Sequence, residues 1–118
     1  ERDFVRERGI AFYTMSELDR RGVEPVVREA LERVEGAPFV HLSLDMDVVD
    51  PEVAPGVGTP VRGGLSYREA HLAMELVAES GLLASLEIVE VNPILDRGNE
   101  TAALAVELAA SAFGARIL

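Results

Sequence analysis

The sequence contains no cysteine, lysine, glutamine or tryptophan. Without cysteine it can form neither disulfides nor thiolate metal sites, which fits a reducing cytoplasm. It has no apolar run long enough to span a membrane and no signal-peptide pattern. Basic residues are scarce, since 11 arginines stand against 21 acidic residues and the formal net charge is -10. This balance disfavours nucleic-acid and anionic-membrane partners; it suits a cationic ligand or a metal ion, and it is equally explained by solubility alone. We expect a cytoplasmic protein.

The length and the hydrophobic pattern indicate a single α/β domain at most. The chain has 118 residues, of which 48% are hydrophobic. Short β-favouring runs occur at residues 10–13, 38–44 and 84–91, and helical patterns occupy residues 1–8, 14–22, 25–36, 66–80 and 100–113. Helices that alternate with apolar strands predict a mainly parallel sheet. About three strands with their helices are therefore expected.

Local signals define several helix ends. Thr14 with Glu17, and Ser66 with Glu69, have the spacing of capping boxes. Gly81 follows the fourth helical pattern, where a left-handed residue commonly ends a helix. Asn99 precedes the last helical pattern in the capping position. These residues predict where three of the helices begin or end.

Two carboxylates lie where the second predicted strand ends. Strand side chains alternate in direction, so Asp45 and Asp47 are expected on one face, a few ångströms apart. A hard divalent cation would relieve the repulsion between them. Aspartates at strand ends also cap the following turn, and both interpretations stay open for this pair alone.

The residues after this pair predict a long and stiff loop. Residues 50–64 show no helix or strand pattern and contain three prolines and four glycines. Long irregular loops in compact domains are usually functional. Asp50 precedes a proline, so we expect it to fix the loop turn and not to bind metal. Thr59, taken alone, is only a loop hydroxyl.

Three other ionisable residues have mainly structural interpretations. Glu90 lies near the carboxyl end of the third predicted strand and, taken alone, is an ordinary strand-end acid. His41 lies four residues before Asp45, roughly 13 Å along an extended strand, so it cannot bind the same ion. We expect His41 to be a core or strand-pairing residue and His71 to be structural. In a parallel sheet, however, Glu90 reaches the same edge as the aspartates.

The central motif resembles the second signature of the ureohydrolases, the manganese enzymes that include arginase and agmatinase. It runs Ser-Leu-Asp-Met-Asp-Val-Val-Asp-Pro over residues 43–51 and continues through Ala-Pro-Gly-x-Gly-Thr-Pro-x-x-Gly-Gly over residues 54–64. The segment Leu-Glu-Ile-Val-Glu-Val-Asn-Pro, residues 86–93, looks more like arginase than agmatinase. The resemblance covers most of the chain and implies a three-layer αβα fold with a mainly parallel sheet.

The resemblance also implies a mechanism and roles for four residues. Asp45 would bridge two Mn²⁺ ions and Asp47 would bind one of them. A metal-bridging hydroxide would hydrolyse L-arginine to L-ornithine and urea. Glu90 would accept the substrate guanidinium, and Thr59 would help to position it.

The family site also uses a histidine and an Asp-x-His-x-x-x-Asp motif, and this sequence has neither. We therefore interpret residues 1–118 as the carboxyl-terminal part of a single arginase-like domain, inactive in isolation. The resemblance implies a homo-oligomer, a trimer or hexamer. Arg68 and Glu69 resemble a position used in the trimer contacts of some arginases, and an ion pair on the helix surface is an equally good account of them. The alternatives are agmatinase or another ureohydrolase of guanidino compounds, or an inactive metal-binding or assembly fragment.

Overall fold

The computed structural model describes residues 2–117, except for the side chain of Arg2. Within these residues, five α-helices, two β-strands and one short 3-10 turn follow one another. Their bounds are α1 Arg2–Glu7, α2 Met15–Arg21, α3 Val23–Val34, β1 Val40–Asp45, the 3-10 turn Met46–Val48, α4 Tyr67–Ser80, β2 Leu83–Val89 and α5 Glu100–Ala112. None of the described helices is both long enough and apolar enough to cross a membrane.

The two strands form a parallel sheet. β1 and β2 pair with one register shift, between Val40 and His41, and after it Ser43 lies beside Glu87 and Asp45 beside Val89. The connection between them contains the long loop and α4, as a parallel crossover requires. The carboxyl ends of both strands therefore lie at the same edge of the sheet, which is where the loop begins.

The core lies between the sheet and the helices α4 and α5. Leu44 is buried, and Leu42, Leu86 and Ile88 on the same face pack against the buried cluster. The helices contribute apolar side chains to this cluster, among them Ala70, Ala73, Met74, Leu104 and Leu108. Alternation along the strands thus gives the sheet one apolar face towards the helices.

The opposite face of the sheet is polar. His41 Nδ1 lies 2.6 Å from Ser85 Oγ on the neighbouring strand. Its other ring nitrogen lies 3.5 Å from a carboxylate oxygen of Glu87. The side chain of Glu87 is also bonded to Ser43, and these contacts lower the pKa of Glu87. The strand-pairing role predicted for His41 is confirmed.

The α/β class and the parallel sheet are confirmed, but the strand predicted at residues 10–13 is wrong. This run is irregular, and the Ile10 amide donates to the Val5 carbonyl at the end of α1. A strand needs a partner along its edge, and Ile10 and Phe12 lie exposed without one in the described part of the chain. The sheet of residues 2–117 therefore has two strands and not three.

Most of the predicted helix ends agree with the structure. Both capping boxes are present, and Gly81 ends α4 in the left-handed conformation. α3 begins at Val23, slightly before the predicted start. Asn99 occupies the N-cap position of α5 as predicted, but its side chain makes no capping hydrogen bond. Asp96 caps α5 instead, accepting from the amides of Thr101 at 3.0 Å and Ala102 at 3.2 Å.

Candidate metal and substrate site

Asp45 and Asp47 lie next to each other, although not through strand alternation. β1 ends at Asp45 and the 3-10 turn begins at Met46, so Asp47 is placed by the turn. The turn forms because Asp45 Oδ1 accepts from the Asp47 amide at 2.8 Å, and because Met46 is fully buried beneath it. Asp45 therefore caps the following turn, which is one of the two interpretations left open for this pair. Its second carboxylate oxygen makes no hydrogen bond within the described residues, so the cap does not exclude metal binding.

The carboxylate of Asp47 has one satisfied oxygen and one unsatisfied oxygen. Thr59 reaches back from the loop, and its hydroxyl donates to Asp47 Oδ2. Asp47 Oδ1 is buried and has no hydrogen-bond partner among residues 2–117. A buried, unpaired carboxylate oxygen is costly unless a cation or donor satisfies it. This oxygen is the strongest single indication of a ligand at the strand end.

The base of the loop is closed by Asp50. Its Oδ1 accepts from the Glu52 amide at 2.9 Å, and its Oδ2 accepts from the Gly63 amide at 2.8 Å. Hydrogen bonds from these backbone amides, first Glu52 and then Gly63, hold the pKa of Asp50 below its usual value. The predicted role of Asp50 in fixing the loop is confirmed. Both its oxygens are used in this way.

Glu90 follows β2, and its side chain faces the exposed part of the loop at Gly58. Its φ is +67°, a conformation that non-glycine residues rarely adopt. A Cβ placed on Gly58 would lie 3.1 Å from Glu90 Oε2, so the carboxylate packs closely against the loop beside Thr59. Strained backbone of this kind persists where the surrounding structure imposes it, and it is frequent at functional sites. Here it directs the carboxylate towards the loop.

The four predicted site residues thus form one continuous group. Asp45 contacts Asp47, Asp47 contacts Thr59, and Glu90 packs against Gly58, the neighbour of Thr59. No three Asp, Glu, His or Cys side chains of residues 2–117 lie close enough together to hold a metal ion by themselves. The described residues therefore bring two carboxylates together at the end of β1 and place a third, that of Glu90, against the loop.

His71 lies apart from this group, as expected. It is 2% exposed, and its Nδ1 lies 2.9 Å from the Ser111 hydroxyl between α4 and α5.

Sequence analysis missed Asp96 and Thr101, which dock the loop against α5. Neither residue belongs to a recognisable motif, and Thr101 bonds to Gly56, which lies 45 residues earlier in the chain. Only the docking of α5 brings them to the loop.

Comparison with known proteins agrees with this arrangement. The family model described as the arginase family matches residues 1–114. The arginase of Bacillus caldovelox is 55% identical over the whole of this chain, which covers 40% of that protein. The crystal structure of arginase from Bacillus subtilis superimposes with a TM-score of 0.96 at 52% identity, and the match covers 100% of this chain and 42% of that one. The crystal structure of formimidoylglutamase from Bacillus subtilis has a TM-score of 0.89 at 31% identity and covers 95% of this chain and 35% of that one.

The chain thus spans about 40% of the length of the curated relatives that it matches. The shared region includes the strand-end carboxylates, the long loop and the segment that ends in Glu90, since it extends across the whole chain. A family match over almost every residue and a closely superimposable fold lead to one conclusion: this chain belongs to the arginase family.

Proposed function

We propose that this chain supplies part of the active site of a manganese-dependent hydrolase that converts L-arginine to L-ornithine and urea. The observation that carries the proposal is the buried, unpartnered Oδ1 of Asp47, in a group that also contains Asp45, Thr59 and Glu90. Relatives that are 50 to 55% identical over the whole chain are named arginases, which supports this choice of reaction.

The residues at the strand end fit a manganese site without completing it. Asp45 and Asp47 would hold the metal, because carboxylate oxygens are the ligands that Mn²⁺ prefers. Two carboxylates do not fill the coordination sphere of two ions, so the remaining ligands come from outside residues 2–117. When bound, paired divalent cations supply an acidified water that can attack the guanidinium carbon near neutral pH.

The chain's own residues would position the substrate. A guanidinium is planar and matches a carboxylate through two parallel hydrogen bonds, so Glu90 would hold the guanidinium end of arginine. Thr59 lies between this carboxylate and Asp47, with its hydroxyl bonded to Asp47. The guanidinium carbon of the substrate would then lie between Glu90, which would hold the guanidinium, and the two aspartates, which would hold the metal.

The test is urea release by the natural polypeptide that carries this sequence, with manganese added. We expect urea from arginine in the wild type and a loss of at least about a hundredfold in Asp47→Asn, together with less bound manganese. Asp19→Asn is the matched control, because Asp19 is an exposed aspartate on α2. Full activity and full manganese content in Asp47→Asn would refute the proposal.

A second candidate is hydrolysis of another guanidino or amidino compound, such as agmatine. Its basis is the 31% identity and close superposition with a formimidoylglutamase, which shows that this fold region also occurs in a differently named enzyme. The group formed by Asp45, Asp47, Thr59 and Glu90 would contact only the amidino end of a substrate. Parallel assays with arginine and agmatine distinguish the two candidates, since agmatine lacks the carboxylate of arginine.

A further inference from the structure

The first half of the long loop is docked into the core, whereas the second half is exposed. Ala54 and Val57 are 0% and 1% exposed, and Gly56 is buried between them. From Gly58 to Gly63 every residue is exposed, including Thr59. Thr59 lies only two to three residues after the buried half of the loop. Its position therefore depends on how firmly that half is held.

Gly56 is the residue through which the loop is held. Its amide donates to Thr101 Oγ1 at 2.8 Å, in the first turn of α5. Its carbonyl accepts from the Asn92 amide at 2.7 Å. A Cβ on this glycine would lie 2.5 Å from the side chain of Asp96, so no larger residue fits. The loop is thus bonded on one side to α5 and on the other to the chain just after Glu90.

Thr101 is a buried residue that holds Gly56 and also contacts Asp96. It is 0% exposed, and its backbone amide is bonded to Asp96. Burial by itself raises the pKa of Asp96, but the amide and hydroxyl of Thr101 and the amides of Ala102 and Arg97 outweigh burial and hold this pKa below its usual value. An ionised Asp96 therefore fixes the first turn of α5, and that turn presents the Thr101 hydroxyl to Gly56.

We propose that Thr101 is a positioning residue that sets the spacing between Thr59 and Glu90 by anchoring Gly56. Thr59 lies three residues after Gly56, and Glu90 lies two residues before Asn92, which is bonded to Gly56. Loss of the Thr101 hydroxyl leaves Gly56 bonded to Asn92 but no longer fixed to α5, so the segment that leads to Thr59 loses one of its two anchors and can shift relative to Glu90. This inference rests on the proposed function, because Thr59 and Glu90 are its substrate contacts.

The experiment compares Thr101→Val, Thr101→Ser and Ser111→Ala in the natural polypeptide that carries this sequence. Valine keeps the shape of threonine without its hydroxyl, and serine keeps the hydroxyl. Ser111→Ala is the matched control, because Ser111 is 2% exposed on the same helix and its hydroxyl bonds to His71, away from the loop. Thr101→Val and Ser111→Ala each remove one buried hydroxyl group from α5.

We expect Thr101→Val to raise KM for arginine about tenfold with a smaller change in kcat, as loss of one well-placed hydrogen bond predicts. Thr101→Ser and Ser111→Ala should keep the KM of the wild type. Amide hydrogen exchange is the second measurement, and exchange at residues 54–59 should increase in Thr101→Val alone.

Two results would overturn the positioning role. One is an unchanged KM and unchanged exchange in Thr101→Val, and the other is an equal KM rise in Ser111→Ala. A wild-type polypeptide that releases no urea would instead refute the proposed function. In that case the exchange measurement would still decide whether Thr101 anchors the loop.

Discussion

Two neighbouring glycines at the base of the long loop are required for different physical reasons. Gly63 has φ +86°, and a Cβ placed on it would meet no atom within 4 Å. Gly64 has no such strain, but its Cβ would lie 2.6 Å from the Asp50 nitrogen and 2.7 Å from the Val48 carbonyl oxygen. Those two backbone atoms are hydrogen-bonded to Leu65, so moving them would weaken these hydrogen bonds. Gly63 therefore supplies a conformation, and Gly64 supplies space.

We predict that Gly64→Ala destabilises the protein more than Gly63→Ala. A left-handed alanine costs about 1 kcal/mol, whereas a Cβ forced against fixed backbone costs about 3 kcal/mol or more. Chemical denaturation of the two variants and the wild type measures the difference. The interpretation would be wrong if Gly63→Ala proved equally or more destabilising than its neighbour.

At the scale of secondary-structure elements, the contact between α4 and α5 contains a buried histidine. Nδ1 of His71 is bonded to Ser111, and its Nε2 lacks a hydrogen-bond partner while lying 3.8 Å from Glu107 Oε2. The Tyr67 hydroxyl donates to the same carboxylate, and the rings of Tyr67 and His71 lie 4.5 Å apart. Polar side chains thus join the two helices, and one of them, His71, is buried.

This contact predicts that stability falls as the solution becomes mildly acidic. Burial lowers the pKa of His71, and Arg68 adds to this, while Glu107 and Glu75 oppose it without reversing it. The unfolded chain therefore binds the proton more readily than the folded one. The contribution of neutral His71 to the free energy of unfolding is complete above about pH 6.5. It is lost as the pH falls through the lower pKa that His71 has in the folded state.

The measurement is urea denaturation of the wild type and His71→Leu between about pH 5 and pH 7.5, above the range in which carboxylates titrate. We expect the free energy of unfolding of the wild type to decrease towards pH 5 and that of His71→Leu to change less. If both proteins show the same pH dependence, His71 is not responsible for it.

At the scale of the whole molecule, much apolar surface is left uncovered. Ile94, Phe113 and Val106 are 90%, 75% and 70% exposed. An apolar groove of about 370 Å³ runs between α3, β1 and α4. The described sheet has only two strands, so each strand has one unpaired edge. Exposed apolar patches and open strand edges favour association.

We predict that the 118 residues prepared alone associate and release no urea from arginine. Association follows from the uncovered surface, and inactivity follows from the proposed metal site, to which this chain contributes only two carboxylates. Size-exclusion chromatography with light scattering over a range of concentrations tests the first part, with the natural polypeptide that carries the sequence as the comparison. A monomer of 12.7 kDa at every concentration, or urea release by a preparation of verified mass, would contradict this prediction.

Much of this molecule follows from local sequence. The capping boxes at Thr14 and Ser66 and the left-handed Gly81 determine helix ends because they act within four residues. The parallel sheet follows from apolar runs that alternate with helices, and the long loop follows from its prolines and glycines. The differences concern residues 10–13, which have no neighbouring strand in residues 2–117, and Asn99, which occupies the N-cap position while Asp96 makes the capping hydrogen bonds.

Tertiary structure alone decided how the candidate site is assembled. The Thr59 hydroxyl meets Asp47 across 12 residues, and Gly56 meets Thr101 across 45. Contacts over such distances depend on how the loop docks against α5, which periodicity and capping signals do not encode. The sequence by itself determined that carboxylates stand at the strand ends and that a stiff loop follows them. The packed fold decided which oxygen is left buried without a partner, because burial is a property of the assembled core.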